Sequence, residues 1–385
     1  MQNKINYATQ NKGLRALLSL ADFILDLAMS QPPSAVPRSK TLPQRILLVN
    51  GAHLGDILLS TACIPVLKNL FPNVEIGMLI GSWSKSLVEN HPWVKHVHVV
   101  DHWKHNRQPL TGLLKLWHYL KTRRQAQKEI HMLSYDIAIH FNPYFPDLSF
   151  FLWQLGIPLR IGSSSAGCRA LYTHAIDGFD QNQHITRHFL RLLKVLSPQP
   201  LSENILRPLL PDTSVPSREF QSLQTLIRTH SQNHYRVIHV GAGDSHKMWP
   251  EIKWKDLINC LSEEDYLIVF TGKGTSENTI IKRLVQNHKQ CLNACDLLSL
   301  PALIQILRDA ELVYSVDSLA AHLAASVGTP CVCLYETPVQ ATVWGPLGPW
   351  VKILFKAEAQ AIAVFNAGEE LLRSKAEGFK EPSYF

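Results

Sequence analysis

The chain has 385 residues, 46% apolar and 18% charged, a balance that excludes a disordered or fibrous protein and leaves room for two ordinary domains. Lys and Arg outnumber Asp and Glu by 38 to 31, a formal charge of +7, which favours anionic partners: phosphorylated metabolites, nucleic acid or an anionic membrane surface. Seven cysteines, without the spacing of a disulfide framework or a zinc site, read as packed thiols of a reducing cytoplasm. No stretch reaches about 18 uninterrupted apolar residues, and the N-terminus lacks a secretory leader's apolar core and cleavage site. The expectation is a cytoplasmic protein, soluble or attached to a membrane surface.

Residues 14–30 form the first predicted element, a helix. Arg15, Ser19, Asp22, Asp26 and Ser30 recur at helical spacing as one narrow polar stripe, and the rest is apolar or small. Such a helix either packs on its own protein or lies in a membrane interface, and the two acids weaken attraction to anionic lipid. Gln31–Lys40, with three prolines and two serines, reads as a linker. From Arg45 the pattern becomes α/β alternation. Strands are predicted at 46–50, 75–80, 97–100 and 135–141, with helices between them. Five prolines between Ser197 and Pro216 mark an interdomain linker. Strands are predicted again at 236–240, 266–272, 311–316 and 331–335. The fold class is α/β, two doubly wound Rossmann-like domains facing a cleft: residues 41–200, a linker 201–216, and residues 217–385 with a final helix, preceded by the helix and linker of 1–40.

Ligands of such sheets sit beyond the carboxyl ends of strands, so three loops carry the chemistry. In the first, a strand runs into Gly51-Ala52-His53-Leu54-Gly55 and Asp56 falls near the first turn of a helix. Asp56 is either an N-cap or a carboxylate offered as general base, and spacing leaves both open. In the second, Gly241-Ala242-Gly243 and Lys247 make a phosphate cradle without the ending of a P-loop, or a turn with a solvated lysine. In the third, Asp317 and Ser318 cap a helix whose first amides suit a diphosphate, with His322 one turn in; capping and packing are the plainer alternatives. Gly328 ends that helix. His96, His98, His102 and His105 have spacing a metal could exploit, but no acidic cluster accompanies them in sequence, and no metal is predicted. Lys121, Arg123, Arg124 and Lys128 lie on a helix with Leu113, Leu114 and Leu116. That face is solvated, or a patch for acidic glycolipid or membrane. No nucleic-acid module is present.

Taken together, RILLVNGAHLGDILLSTACIPVLKNLFP, YDIAIHF…LGIPLRIG, HVGAGDSHKMWP, FTGKGTSEN and VDSLAAHLAASVGTPCVCLYETP…WGPLG resemble, in order over about residues 44–350, the bacterial ADP-heptose:lipopolysaccharide heptosyltransferases, inverting GT-B enzymes of glycosyltransferase family 9. The resemblance implies that Asp56 is the general base, with Gly55 and His53 on the acceptor side, and that Lys247 offsets charge on the departing diphosphate. It places Ala242 and Gly243 at the phosphates and Glu277 at the ribose. Asp317, Ser318 and the amides of Leu319 and Ala320 would hold donor sugar and diphosphate, with His322 at the phosphates. It implies no cofactor and no metal, a nucleotide-sugar donor, ADP-heptose, and a lipopolysaccharide or lipid-linked glycan acceptor at the inner membrane's cytoplasmic face. Two departures bear on the donor: Leu319 stands where the family has glycine, and Glu336 precedes Thr337 where the family's acid follows it. The competing expectations are another donor or acceptor on the same fold, and a non-catalytic sugar-nucleotide binding module.

Overall fold

A computed structural model describes residues 7–29, 42–106, 108, 110–197, 199, 201, 207–211, 218–231, 234–263 and 266–378. The proline-bearing segment 31–40 and most of 201–216 lie outside these residues. The chain divides into two compact units, Met1–Asp180 with Ile185–Pro211, and Gln181–His184 with Asp212–Phe385. The N-terminal helix belongs to the first unit rather than standing apart.

The first unit holds six parallel strands: β1 (Arg45–Val49), β2 (Glu75–Ile80), β3 (Val94–Val99), β4 (Ile137–His140), β5 (Leu159–Ser163) and β6 (His174–Ile176), in the order β3-β2-β1-β4-β5-β6. Leu47 and Val49 point to one face of this sheet. There they pack with Leu79 and Ala138 against Ala126 and Ile130 of the helix Gly112–Leu133 and Phe151 and Leu152 of the helix Ser149–Gln154. Burial on both faces is why β1 and β2 read as unbroken apolar runs.

The second unit repeats the plan: β7 (Tyr235–His239), β8 (Leu267–Thr271), β9 (Cys291–Asn293), β10 (Leu312–Val316), β11 (Cys331–Tyr335) and β12 (Val351–Phe355) are parallel, in the order β12-β11-β10-β7-β8-β9. Counted from its own first strand, this is the order of the first unit. Its core joins Ile238, Phe270, Tyr314 and Leu334 to Trp254 and Leu257 of the helix Glu251–Glu263 and to Val364 and Leu371 of the helix Ala361–Ala376. In both units the strand order reverses between the first and fourth strands, β1 beside β4 and β7 beside β10, which opens a crevice at their carboxyl ends.

The helix Lys12–Ala28 is docked the opposite way round from an ordinary surface helix. Of its polar stripe, Arg15, Asp22 and Asp26 face the protein, and Ser19 is exposed. Asp22 is 3% exposed and accepts hydrogen bonds from Tyr7 Oη at 2.8 Å and from the Arg169 amide at 2.9 Å. Asp26 pairs with Arg169 Nη2 at 2.5 Å, and Leu18 lies against Gly167. Burial holds the Asp22 carboxyl above its ordinary range, against the hydrogen bonds that favour its charged form. The apolar side chains point outward: Leu17 is 66% exposed, Phe23 58% and Leu27 67%.

All seven cysteines are free. Cys63, Cys295, Cys331 and Cys333 are buried, and burial pushes the Cys331 thiol up to about 12.

Candidate active site

In the first unit, β1 ends at Val49 and the chain turns through residues 50–53. Asn50 braces the turn: its Nδ2 donates to the Asp56 carbonyl at 3.1 Å and its Oδ1 accepts from the Ala52 amide at 3.2 Å. The helix Leu54–Thr61 then begins with His53 at its N-cap. Asp56 is therefore three residues past the cap. Its Oδ2 accepts from the His53 amide at 3.0 Å, the return half of a capping box. The capping alternative thus takes a different form from an N-cap, and it fixes the half-buried carboxylate at the strand end.

A second carboxylate lies beneath this turn. Asp147, after β4, has a fully buried side chain; it accepts from His140 Nε2 at 3.0 Å and Asn142 Nδ2 at 3.2 Å, and His105 Nε2 lies 3.2 Å from its other oxygen. Burial would raise its carboxyl's pKa, but the two imidazoles outweigh that and hold it well below the usual range. Gly51 is required beside it: a Cβ there would stand 2.7 Å from Asp147 Oδ2. Sequence reasoning missed this group because His105, His140 and Asp147 share no spacing motif and lie on separate segments. It also missed the acids that serve the other histidines, Glu129 at 2.8 Å from His98 Nδ1 and Glu75 at 3.7 Å from His96 Nε2. His96, His98 and His105 thus each meet a single carboxylate from elsewhere in the chain. Among the described residues no group of three or more His, Cys, Asp or Glu side chains is arranged to hold a metal.

In the second unit, the loops after β7 and β10 meet at the crevice. Lys247 Nζ lies 2.6 Å from Asp317 Oδ2, an ion pair between residues 70 positions apart. Asp317 is largely buried and Lys247 half-exposed, so the lysine offers its charge at the mouth of the crevice. The Lys247 loop is held from below by Lys356, whose buried ammonium donates to the carbonyls of His246 and Met248 and pairs with Glu336. Glu336 thus has a structural partner one strand away, a contact its sequence position did not reveal.

The helix Leu319–Val327 starts at Ser318, whose hydroxyl meets Ser315 Oγ at 2.9 Å instead of capping the helix. Leu319 is not among the non-glycine residues with positive φ, which are Ser134, Cys168 and Asp296 in the described chain. Replacing glycine there therefore costs no backbone strain, and the change is one of space before the helix. Ala320 is buried beside it. His322 is buried one turn in, its pKa lowered to about 4 by burial, so the ring is neutral at physiological pH. The helix ends at Gly328, with φ 82°.

In the turn after β7 Gly243 is exposed, and Ala242 before it is half-buried against the core. Glu277, in the first turn of the helix Thr275–Val285, accepts from the Lys273 amide at 2.8 Å. Burial raises its carboxyl's pKa above the ordinary range. It packs on Gly241 so closely that a Cβ there would fall 1.9 Å from the Glu277 carboxyl carbon. Gly241→Ala is expected to destabilise the protein by about 1–3 kcal/mol in denaturant unfolding. Adding Glu277→Ala should return most of that loss, because the clash partner is gone.

Two doubly wound parallel units of this kind are the architecture of the GT-B fold. The model of glycosyltransferase family 9 (heptosyltransferase) matches residues 123–371. Lipopolysaccharide heptosyltransferase 3 of Escherichia coli K12 is 22% identical over 83% of this chain and 90% of its own length. Lipooligosaccharide heptosyltransferase 2 of Haemophilus influenzae is 23% identical over 84% and 92%. A family 9 glycosyl transferase structure from Veillonella parvula superposes with a TM-score of 0.70 at 19% identity, covering 86% of this chain and 97% of that one. Escherichia coli heptosyltransferase WaaC with ADP gives 0.67 at 19%, covering 85% and 99%. The chain belongs to glycosyltransferase family 9, the heptosyltransferase family, and is a glycosyltransferase.

Proposed function

We propose that this enzyme transfers a heptose, with inversion, from ADP-heptose to a lipopolysaccharide inner-core or related lipid-linked glycan at the cytoplasmic face of the inner membrane. The observation that carries the reading is the match to the heptosyltransferase family over residues 123–371, and the Lys247–Asp317 pair beside the start of the helix Leu319–Val327 supplies a cation at the second unit's switch point. Inverting transfer needs a base for the acceptor hydroxyl and positive charge for the leaving nucleotide. Asp56 takes the acceptor proton, and the capping box keeps its carboxylate at the strand end, with Gly55 and His53 lining the acceptor side.

Lys247 offsets the charge that grows on the departing diphosphate, and Asp317 orients the ammonium. The amides of Leu319 and Ala320 add the positive end of the helix, and the turn at Ala242 and Gly243 lets phosphate oxygens approach backbone. Ser318 contacts the donor sugar. Glu277 binds the ribose hydroxyls between the β7 and β8 turns. His322, buried and neutral, supports the first turn below the phosphates. In this scheme protein cations and amides perform the charge neutralisation, so turnover needs no divalent ion or cofactor.

Calorimetric titration with ADP, UDP and GDP in the presence of EDTA tests the donor. ADP should bind and the others should bind at least about tenfold more weakly, a difference of about 1.4 kcal/mol. Heptose transfer from ADP-heptose to heptose-free lipopolysaccharide should follow under the same conditions. A preference for UDP or GDP would overturn the donor, and dependence on added Mg²⁺ would overturn the charge assignment.

A further inference from the structure

The outward face of the helix Lys12–Ala28 carries Leu17, Leu20, Phe23, Ile24 and Leu27, all more than half exposed. These positions fall within one third of the helix circumference at 100° per residue. A surface helix ordinarily buries its apolar face and wets its polar one; here Asp22 and Asp26 are turned inward and occupied by Tyr7 and Arg169. The acids that would oppose an anionic surface therefore do not face outward.

The exposed apolar surface extends beyond this helix. Arg169–Leu171, which receives Asp22 and Asp26, packs against the helix Ser149–Gln154, where Phe150 and Trp153 stack in the open at 5.5 Å between centroids. That helix is tied in turn to Gly112–Leu133 by Arg123, which hydrogen-bonds Gln154 and lies over the Phe151 ring. Gly112–Leu133 exposes Leu113, Leu116, Trp117 and Leu120 in its first half. On the same helical face, Lys121, Arg124 and Lys128 follow, exposed. Lys121 Nζ sits 5.1 Å from the Trp117 ring, so cation and aromatic are side by side. Among the described residues no helix is long and apolar enough to cross a membrane.

We infer that these three helices form a membrane-interface surface: the inverted helix Lys12–Ala28 lays its apolar face among acyl chains, and the cations of Gly112–Leu133 meet anionic headgroups. An apolar face with a cationic flank fits a bilayer surface, which supplies an apolar phase beside negative charge. The aromatic rings of Trp117, Phe150 and Trp153 suit the headgroup level. The inference deepens the membrane location proposed above and rests on that reading for its biological setting, but its test uses no transfer assay.

The test is flotation of the full chain with vesicles of phosphatidylethanolamine containing roughly one-quarter phosphatidylglycerol, against vesicles of phosphatidylcholine alone. The wild type should bind the anionic vesicles, less so as salt rises. Leu20→Asp with Phe23→Asp should lower partitioning at least roughly tenfold. Lys121→Glu with Arg124→Glu should remove the preference for phosphatidylglycerol while leaving residual binding. Thermal melting and ADP titration of each variant report whether fold and donor site persist, and Leu20→Ser with Phe23→Ser serves as a milder pair. Equal flotation of wild type and both apolar variants, or no flotation of the wild type, would overturn the inference. So would a concentration-dependent dimer, abolished by the same substitutions, in a wild type that ignores vesicles. Failure to bind ADP with flotation intact would count against the ADP-heptose donor alone.

Discussion

Asp56→Asn should reduce the transfer rate by about 10²- to 10⁴-fold while ADP affinity stays within about twofold, because removing a general base acts on the proton-transfer step. Asparagine is the informative substitution. Its Oδ1 can still accept from the His53 amide, so the capping box survives and the loss isolates the carboxylate's basicity. Alanine removes the cap bond too, at a further cost of about 1 kcal/mol in stability, visible as a lower unfolding midpoint. The measurements are single-turnover transfer and ADP calorimetry on the same preparations. Transfer by Asp56→Asn at the wild-type rate would remove Asp56 from the chemistry.

Lys247→Ala should lower turnover by about 10²- to 10³-fold, the usual range for losing one preorganised group that stabilises developing charge. It should also weaken ADP, since the diphosphate of the product carries the same charge the lysine meets. This separates it from Asp56→Asn, which leaves ADP unaffected. The substitution also strands Asp317, a largely buried carboxylate that loses its partner at 2.6 Å. The double variant Lys247→Ala with Asp317→Asn relieves that penalty. It should recover thermal stability without recovering turnover, and recovery of turnover would assign the defect of the single variant to misfolding. Steady-state kinetics with melting curves decide between the two.

Much of the fold could be read from apolar runs. β1, β2, β8, β10 and β11 lie inside their sheets and are buried along most of their length, and their residues are predominantly apolar. Four strands escaped notice: β5, β6, β9 and β12. Three of these, β6, β9 and β12, are half-buried at every position, as strands at sheet edges are, so His-Ala-Ile, Cys-Leu-Asn and Val-Lys-Ile-Leu-Phe carry no strong run. The positions of the strand-end loops were readable too, because glycine turns follow the apolar runs that end at Val49 and His239, but their spacing left the role of each loop open. What spacing could not provide was who meets whom. Lys247 reaches Asp317 because β7 and β10 are neighbours, and Glu277 reaches Gly241 because β7 and β8 are. The Asp147 cluster needs β4 beside β1 before His140 and the Gly51 turn share a corner. The stripe on the first helix was found by periodicity alone, but periodicity does not say which side faces in; that was decided by Arg169, more than 140 residues downstream.

The inverted docking of that helix also governs how the molecule behaves at high concentration. Leu17, Leu20, Phe23, Ile24 and Leu27 in water form a sticky stripe, and stripes of this kind bring chains together in the absence of a preferred surface. Detergent at purification should therefore act as a substitute surface, keeping particles apart without touching the sheets. Trimming the helix away would exchange one colloidal problem for another. Arg169 would lose its carboxylate, and the pocket at Gly167 that receives Leu18 would be opened to solvent.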